Sequence, residues 1–148
     1  MIGVTITPSH IDYSKILSDK TEHDLVMGDC IIILAAAKEN TIRDTGELVN
    51  SEMWAMSDGE GGFNDGSGRD PAPTDARLRK PNQKNVGYVG SNSDHAGPVE
   101  YGIKDKPNYP RQPYLRPALD GTKKEREARH GGIIKTSIDN AYTKAGIK

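Results

Sequence analysis

The chain is 148 residues long, the size of one domain, and its 20 basic and 21 acidic residues leave a net charge of −1. Leu, Ile, Val and Phe make up 27 residues, or 18%, under the roughly 20% that ordinarily sustains a packed core. Such a composition predicts a marginal subunit completed by neighbours, since burial between copies supplies what burial within one cannot. The apolar run Ile31 to Ala37 falls far short of the roughly 18 residues of a membrane span. The N-terminus lacks a charged start followed by an apolar stretch, so no secretory signal is expected. The single cysteine, Cys30, can form neither an internal disulfide nor a multi-cysteine metal site. The expectation is a soluble protein made in a reducing compartment.

Charge is unevenly placed. Residues 1–60 carry 4 Lys/Arg against 11 Asp/Glu, whereas residues 61–148 carry 16 against 10. This split predicts either head-to-tail complementarity between copies or acidic and basic faces that meet different partners, with two solvated surfaces of unequal sign as the simpler alternative.

In chain order, Ile2, Val4 and Ile6 alternate with Gly3 and Thr5 and predict a short strand with one face on a core. Thr7-Pro8 offers a cap and first helical position for a short helical turn through Leu17. Thr21 with Asp24 resembles a capping box, and Leu25, Val26, Cys30, Ile33, Leu34 and Ala37 follow helical spacing, which predicts a helix over 21–40. Glu22, Asp24 and Asp29 near its start and Lys38 near its end suit the helix dipole.

Asp44-Thr45-Gly46 turns the chain into a predicted strand from Leu48 to Met56, with Trp54 anchoring one face. Residues 57–85, rich in Gly and Pro and nearly free of apolar residues, read as a long flexible loop. A strand over Val86–Gly90 makes that loop the tip of an extended antiparallel hairpin. Residues 91–113 read as turns. Pro117-Ala118 can open a helix carrying a Glu125–Arg129 pair, Gly131-Gly132 should break or kink it, and Ile134, Ile138, Ala141 and Ala145 give a second segment an apolar stripe.

The predicted fold is therefore one α+β domain over 1–148. A long helix in the N-terminal half and a C-terminal helix pack on a small antiparallel sheet that carries one long hairpin loop. Without that loop the core-forming share rises to 21%, adequate for a small domain.

Chemistry-bearing constellations are sparse. His10, His23, His95 and His130 are far apart, form no HExxH-type pair, and read as surface or interface residues. Cys30 lies among apolar helix residues and reads as a packed thiol. The loop's glycines lack the strand, the capped helix and the GK[ST] of a phosphate site. Asp58, Glu60, Asn64, Asp65 and Asp70 do not follow EF-hand spacing. Ser51 and Ser137 have no nucleophile-elbow setting. Arg77, Arg79, Lys80 and Lys84 can neutralise phosphates but lack interleaved aromatics, so a solvated or partner-facing basic loop is preferred to a dedicated nucleic-acid site. Neither a cofactor, a metal nor an enzymatic activity is expected.

Three stretches stand apart from generic structure. They are Asp44-Thr45-Gly46-Glu47-Leu48 with Ser51 following, Val99-Glu100-Tyr101-Gly102 within Ala96 to Gly102, and Pro113-Tyr114-Leu115-Arg116-Pro117-Ala118-Leu119. In this order and spacing the chain resembles the head-to-tail joining family of tailed bacteriophages, the minor tail, neck or tail-completion proteins. It departs from the family pattern at Ile42, His95 and Ile103.

Each motif also has a physical reading. Thr45 can hold its turn through the hydroxyl while Gly46 supplies a backbone angle other residues resist. Pro113 and Pro117 bracket the approach to the last helix. Glu100 and Arg116 are opposite charges in two motif turns, and a bidentate pair is expected within the subunit or across a ring interface.

The resemblance implies a structural virion protein of the neck. It would form a homo-oligomeric ring, hexameric to match the tail or twelvefold to match the portal, between the head connector and the tail tube or terminator, with DNA passing through it. It would act in the virion after assembly in the host cytoplasm, with no membrane partner. The acidic half would line the channel while the loop and C-terminal half clasp adjacent subunits. A tail terminator that caps tube growth is the nearest alternative, and a small nucleic-acid-binding protein acting through the basic loop is the more distant one.

Overall fold

A computed structural model describes residues 2–6, 17–42, 46–62 and 80–146. Its elements run in the order β1 (Ile2–Ile6), α1 (Asp19–Asn40), α2 (Glu47–Ser51), β2 (Glu52–Met56), β3 (Gly61–Gly62), β4 (Gly87–Ser91), α3 (Ala96–Tyr101), α4 (Leu115–Gly121) and α5 (Lys123–Lys144). The strands form one antiparallel sheet in the order β1-β4-β2-β3, so the fold is α+β. Thr7-Pro8 and Asp44-Thr45 lie outside the described residues.

Alternation along the strands sets the two faces of the sheet. Val4 and Trp54 both oppose Val89, while Ile6 and Met56 both oppose Gly87, so these side chains share one face and meet α1. The core on this face contains Cys30, Ile33, Leu34, Ala37, Met56 and Val89, with Trp54 half-buried at its margin. Met53, Ala55 and Tyr88 make a smaller cluster on the opposite face. Gly87 sets the closeness of sheet and helix, because a Cβ there would lie 2.3 Å from Cys30 Sγ.

Several elements begin or end elsewhere than the sequence pattern predicts. The cap of α1 is Ser18, whose hydroxyl accepts the Thr21 N–H, so the helix starts two residues before the expected 21. The expected strand from Leu48 is helical up to Ser51, and β2 starts only at Glu52. Leu48 and Val49 are both buried, a consecutive pair that a strand would send to opposite faces. Gly46 initiates this helix with φ +81°, the backbone angle anticipated for it.

Residues 57–62 and 80–85 of the 57–85 segment lie among the described residues. A tight turn at 57–60 folds β3 back on β2, and Asn85 at the far end is buried and donates to Glu22. As expected, the segment connects two neighbouring antiparallel strands, β2 and β4.

The turn-rich 91–113 stretch contains α3, with Pro98 in its first turn, where no helical N–H is needed. Gly131-Gly132 does not break the last helix, since α5 runs through both, and Cβ atoms there would meet nothing within 4 Å. The expected Glu125–Arg129 pair gives way to a tertiary contact, as Arg129 turns to α1.

Burial pushes the Cys30 thiol up to about 12, with the neighbouring Asp29 carboxylate adding to the shift. Two outcomes are expected. The native thiol stays unreactive toward a maleimide at pH 7–8 and reacts fully once the chain is unfolded. Gly87→Ala lowers unfolding free energy by about 1–3 kcal/mol in a denaturant titration, the usual cost of overpacking a close contact.

Candidate functional site

The last two motifs form one structural unit. The buried Glu100 carboxylate accepts three backbone N–H groups from the approach to α4: Tyr114 at 2.7 Å and Leu115 at 2.9 Å on Oε2, and Arg116 at 3.0 Å on Oε1. The first turn of a helix leaves N–H groups without intrahelical acceptors, and Tyr114, the cap residue, has no side-chain capping bond of its own. Pro117, next in the turn, has no N–H to satisfy. One carboxylate from α3 thus caps α4 from outside, with its negative charge at the positive end of the helix. Gly102, with φ +81°, ends α3 through its N–H to Pro98 O, and Gln112 N–H returns to Val99 O.

This corrects the expected Glu100–Arg116 ion pair within the subunit. Glu100 takes the backbone of Arg116, while the Arg116 residue is exposed. Helix α4 also opens at Leu115, two residues before the expected Pro117.

The other motif residues divide into a buried and an exposed set. Leu48, Val99, Tyr114, Leu115 and Ala118 share the main core. Ser51 joins the first motif to the sheet through a chain in which Ser93 N–H reaches Ser91 Oγ, Ser91 Oγ lies 2.6 Å from Ser51 Oγ, and Ser51 Oγ donates to Leu48 O. Tyr114 is fully buried, and burial, followed by the charges of Glu52 and Glu100, pushes its phenol well above the usual range. Tyr101, Pro113, Arg116 and Pro117 are exposed, Tyr101 at 69%. A cleft of about 390 Å³ is lined by Ile42, Gly46, Leu48, Val99, His95 and Tyr109, so the first and second motifs share a surface.

A second joint, which the motifs do not mark, attaches α5. Gly28 in mid-α1 leaves a gap that the Arg129 guanidinium fills, donating to Asp24 O at 2.8 Å and Leu25 O at 2.9 Å. Buried Asp29 gathers His130, Arg126 and Arg129, with His130 Nε2 2.9 Å from both of its oxygens. Arg126 also donates to Leu119 O. The sequence held a signal for this joint, because a glycine inside a strong helix costs about 1 kcal/mol and asks for a reason.

Of the basic cluster, Lys84 pairs with Asp19 and Lys80 is exposed beside Gly59, while Arg77 and Arg79 lie outside the described residues. His23 is brought to Asp58 and Glu60, a grouping that their separation in sequence hides. No family model, no curated protein and no solved structure matches this chain.

The carboxylate cap predicts that Glu100→Ala destabilises the subunit by about 3 kcal/mol or more in denaturant unfolding, because three N–H groups lose a charged acceptor. Glu100→Gln, with one acceptor oxygen, should fall between. Arg116→Ala should stay within about 0.5 kcal/mol of the parent. For the α1–α5 joint, Gly28→Ala should evict Arg129, seen as faster amide exchange across 123–130 with little change in the exchange of the sheet.

Proposed function

We propose that this chain is a structural protein of a tailed-phage neck, assembling as a ring that joins the head connector to the tail and lets DNA pass. The observation that carries the reading is the contact between motifs. The Val99-Glu100-Tyr101-Gly102 turn and the Pro113–Ala118 approach, which carry the resemblance, are bonded to each other through the Glu100 carboxylate. The residues that carry the resemblance thus form one physical unit that positions α4, which supports the reading.

Helix α5 supports the oligomeric part of the proposal. None of its 22 residues is buried within the subunit. Its last side-chain bond to the body among the described residues is at His130, and residues 131–144 continue as about 20 Å of helix. Ile134, Ile138 and Ala141, followed by Ala145, lie along one side of it, and Ile138 and Tyr142 are exposed. A helix of this length gains most of its stability from packing an apolar face, and within one subunit that face has little to pack against. In a ring it would clasp the next subunit, a heterologous contact that closes by rotation.

Phage lacking this protein, viewed by electron microscopy, should show DNA-filled heads and tails of normal length left unjoined. Overlong tails would instead indicate a terminator, and normal virions would contradict both. A chain ending at residue 131 should fold with the parent's circular dichroism per helical residue but remain monomeric by native mass measurement and fail to restore joining.

A further inference from the structure

We propose that His23, Asp58 and Glu60 form a divalent transition-metal site, fitted to Zn²⁺, that fastens the β2–β3 turn to α1. Among the described residues this is the one group of three metal-ligating side chains whose donor atoms all lie within 4.8 Å of one another. His23 Nε2 is 2.7 Å from Asp58 Oδ2 and 3.8 Å from Glu60 Oε2. Despite this closeness, Nε2 is a buried atom that makes no hydrogen bond. Donor atoms gathered this closely have the spacing of neighbouring ligands on one ion. Bonds of about 2.0–2.1 Å to zinc at tetrahedral or octahedral angles would put such atoms roughly 2.9–3.4 Å apart, a small adjustment from what is seen.

The surroundings prepare the same chemistry. His23 Nδ1 lies 3.5 Å from Asp24 Oδ1, a carboxylate placed where the outer partner of a metal-bound imidazole sits. The Glu60 N–H binds Asp58 Oδ1 at 2.9 Å, which orients the carboxylate and leaves Oδ2 beside the histidine. One imidazole and two carboxylates suit zinc or a similar first-row cation better than calcium, which prefers an all-oxygen shell. The half-exposed setting leaves coordination positions for water or for a ligand from a neighbour. Lys80 Nζ, close to Gly59, and Lys20, paired with Asp24, are the competing cations.

The site is independent of the neck reading and would stand or fall without it. The test is calorimetric titration of the full chain at pH 7.5 with Zn²⁺ alone, beside thermal unfolding with and without the metal. One Zn²⁺ per chain should bind with a micromolar dissociation constant and raise the melting temperature, while Ca²⁺ and Mg²⁺ do neither. Asp58→Asn keeps the acceptor for the Glu60 N–H and so the turn. It and His23→Gln should each weaken Zn²⁺ more than about tenfold, whereas His95→Gln leaves binding unchanged. Lys80→Met should tighten it. Binding weaker than millimolar would overturn the site, as would equal affinity in Asp58→Asn and His23→Gln. So would ¹⁵N spectra showing His23 Nε2 protonated and indifferent to Zn²⁺, which would reduce the cluster to an imidazolium beside carboxylates.

Discussion

The rest of the structure depends on one carboxylate placed at a helix start. Glu100 meets the Tyr114, Leu115 and Arg116 amides at 2.7–3.0 Å, away from water, where such bonds are strongest and hardest to replace. Because these amides begin α4, the bond fixes where that helix enters, and α4 supplies Leu115 and Ala118 to the core shared with α1 and the sheet. From α4, only Thr122 intervenes before α5. The direction of the last helix is thus inherited from α3 through a single side chain and then fixed by Arg126, Arg129 and His130, which meet Asp29 and the backbone of α1.

This arrangement divides the molecule into a closed body and an open arm. The body buries its apolar residues between α1, α4 and one face of the sheet, with Cys30, Ile33, Leu34, Val89 and Tyr114 fully enclosed. The arm, α5 beyond His130, keeps Ile138 and Tyr142 exposed. A composition that looks too thin for a stable fold is therefore unevenly spent: sufficient in the body and deficient along α5. The proposed ring is the state in which that deficiency is met by neighbours, and the exposed motif residues Tyr101, Pro113, Arg116 and Pro117 offer a further surface for them.

What the sequence revealed followed the strength of its periodic signals. The 3.6-residue pattern of α1 and the alternation of Ile2, Val4 and Ile6 are legible because burial on one side writes them directly. The start of β2 is not legible in the sequence because Leu48-Val49 is apolar in either conformation, and only the helical turn sends both inward. Gly131-Gly132 suggests a break by propensity, yet a cost of about 1 kcal/mol per glycine does not end a helix held at its base by Arg126, Arg129 and His130. Glu100 is legible as a partner for charge, but the donors it accepts from are backbone amides, which no side-chain pattern displays. The approach of His23 to the 57–60 turn and the seat of Arg129 on Gly28 arise from tertiary packing and leave in the sequence only an unexplained glycine.

Amide hydrogen exchange of the purified chain, before and after its incorporation into particles, tests the closed body and open arm most directly. The amides of Tyr114, Leu115 and Arg116 should exchange as slowly as those of α1 and β4 in the free subunit, while residues 131–146 exchange orders of magnitude faster and become protected only on assembly. A free subunit in which 131–146 are as protected as α1, or a particle in which they stay unprotected, would contradict the account.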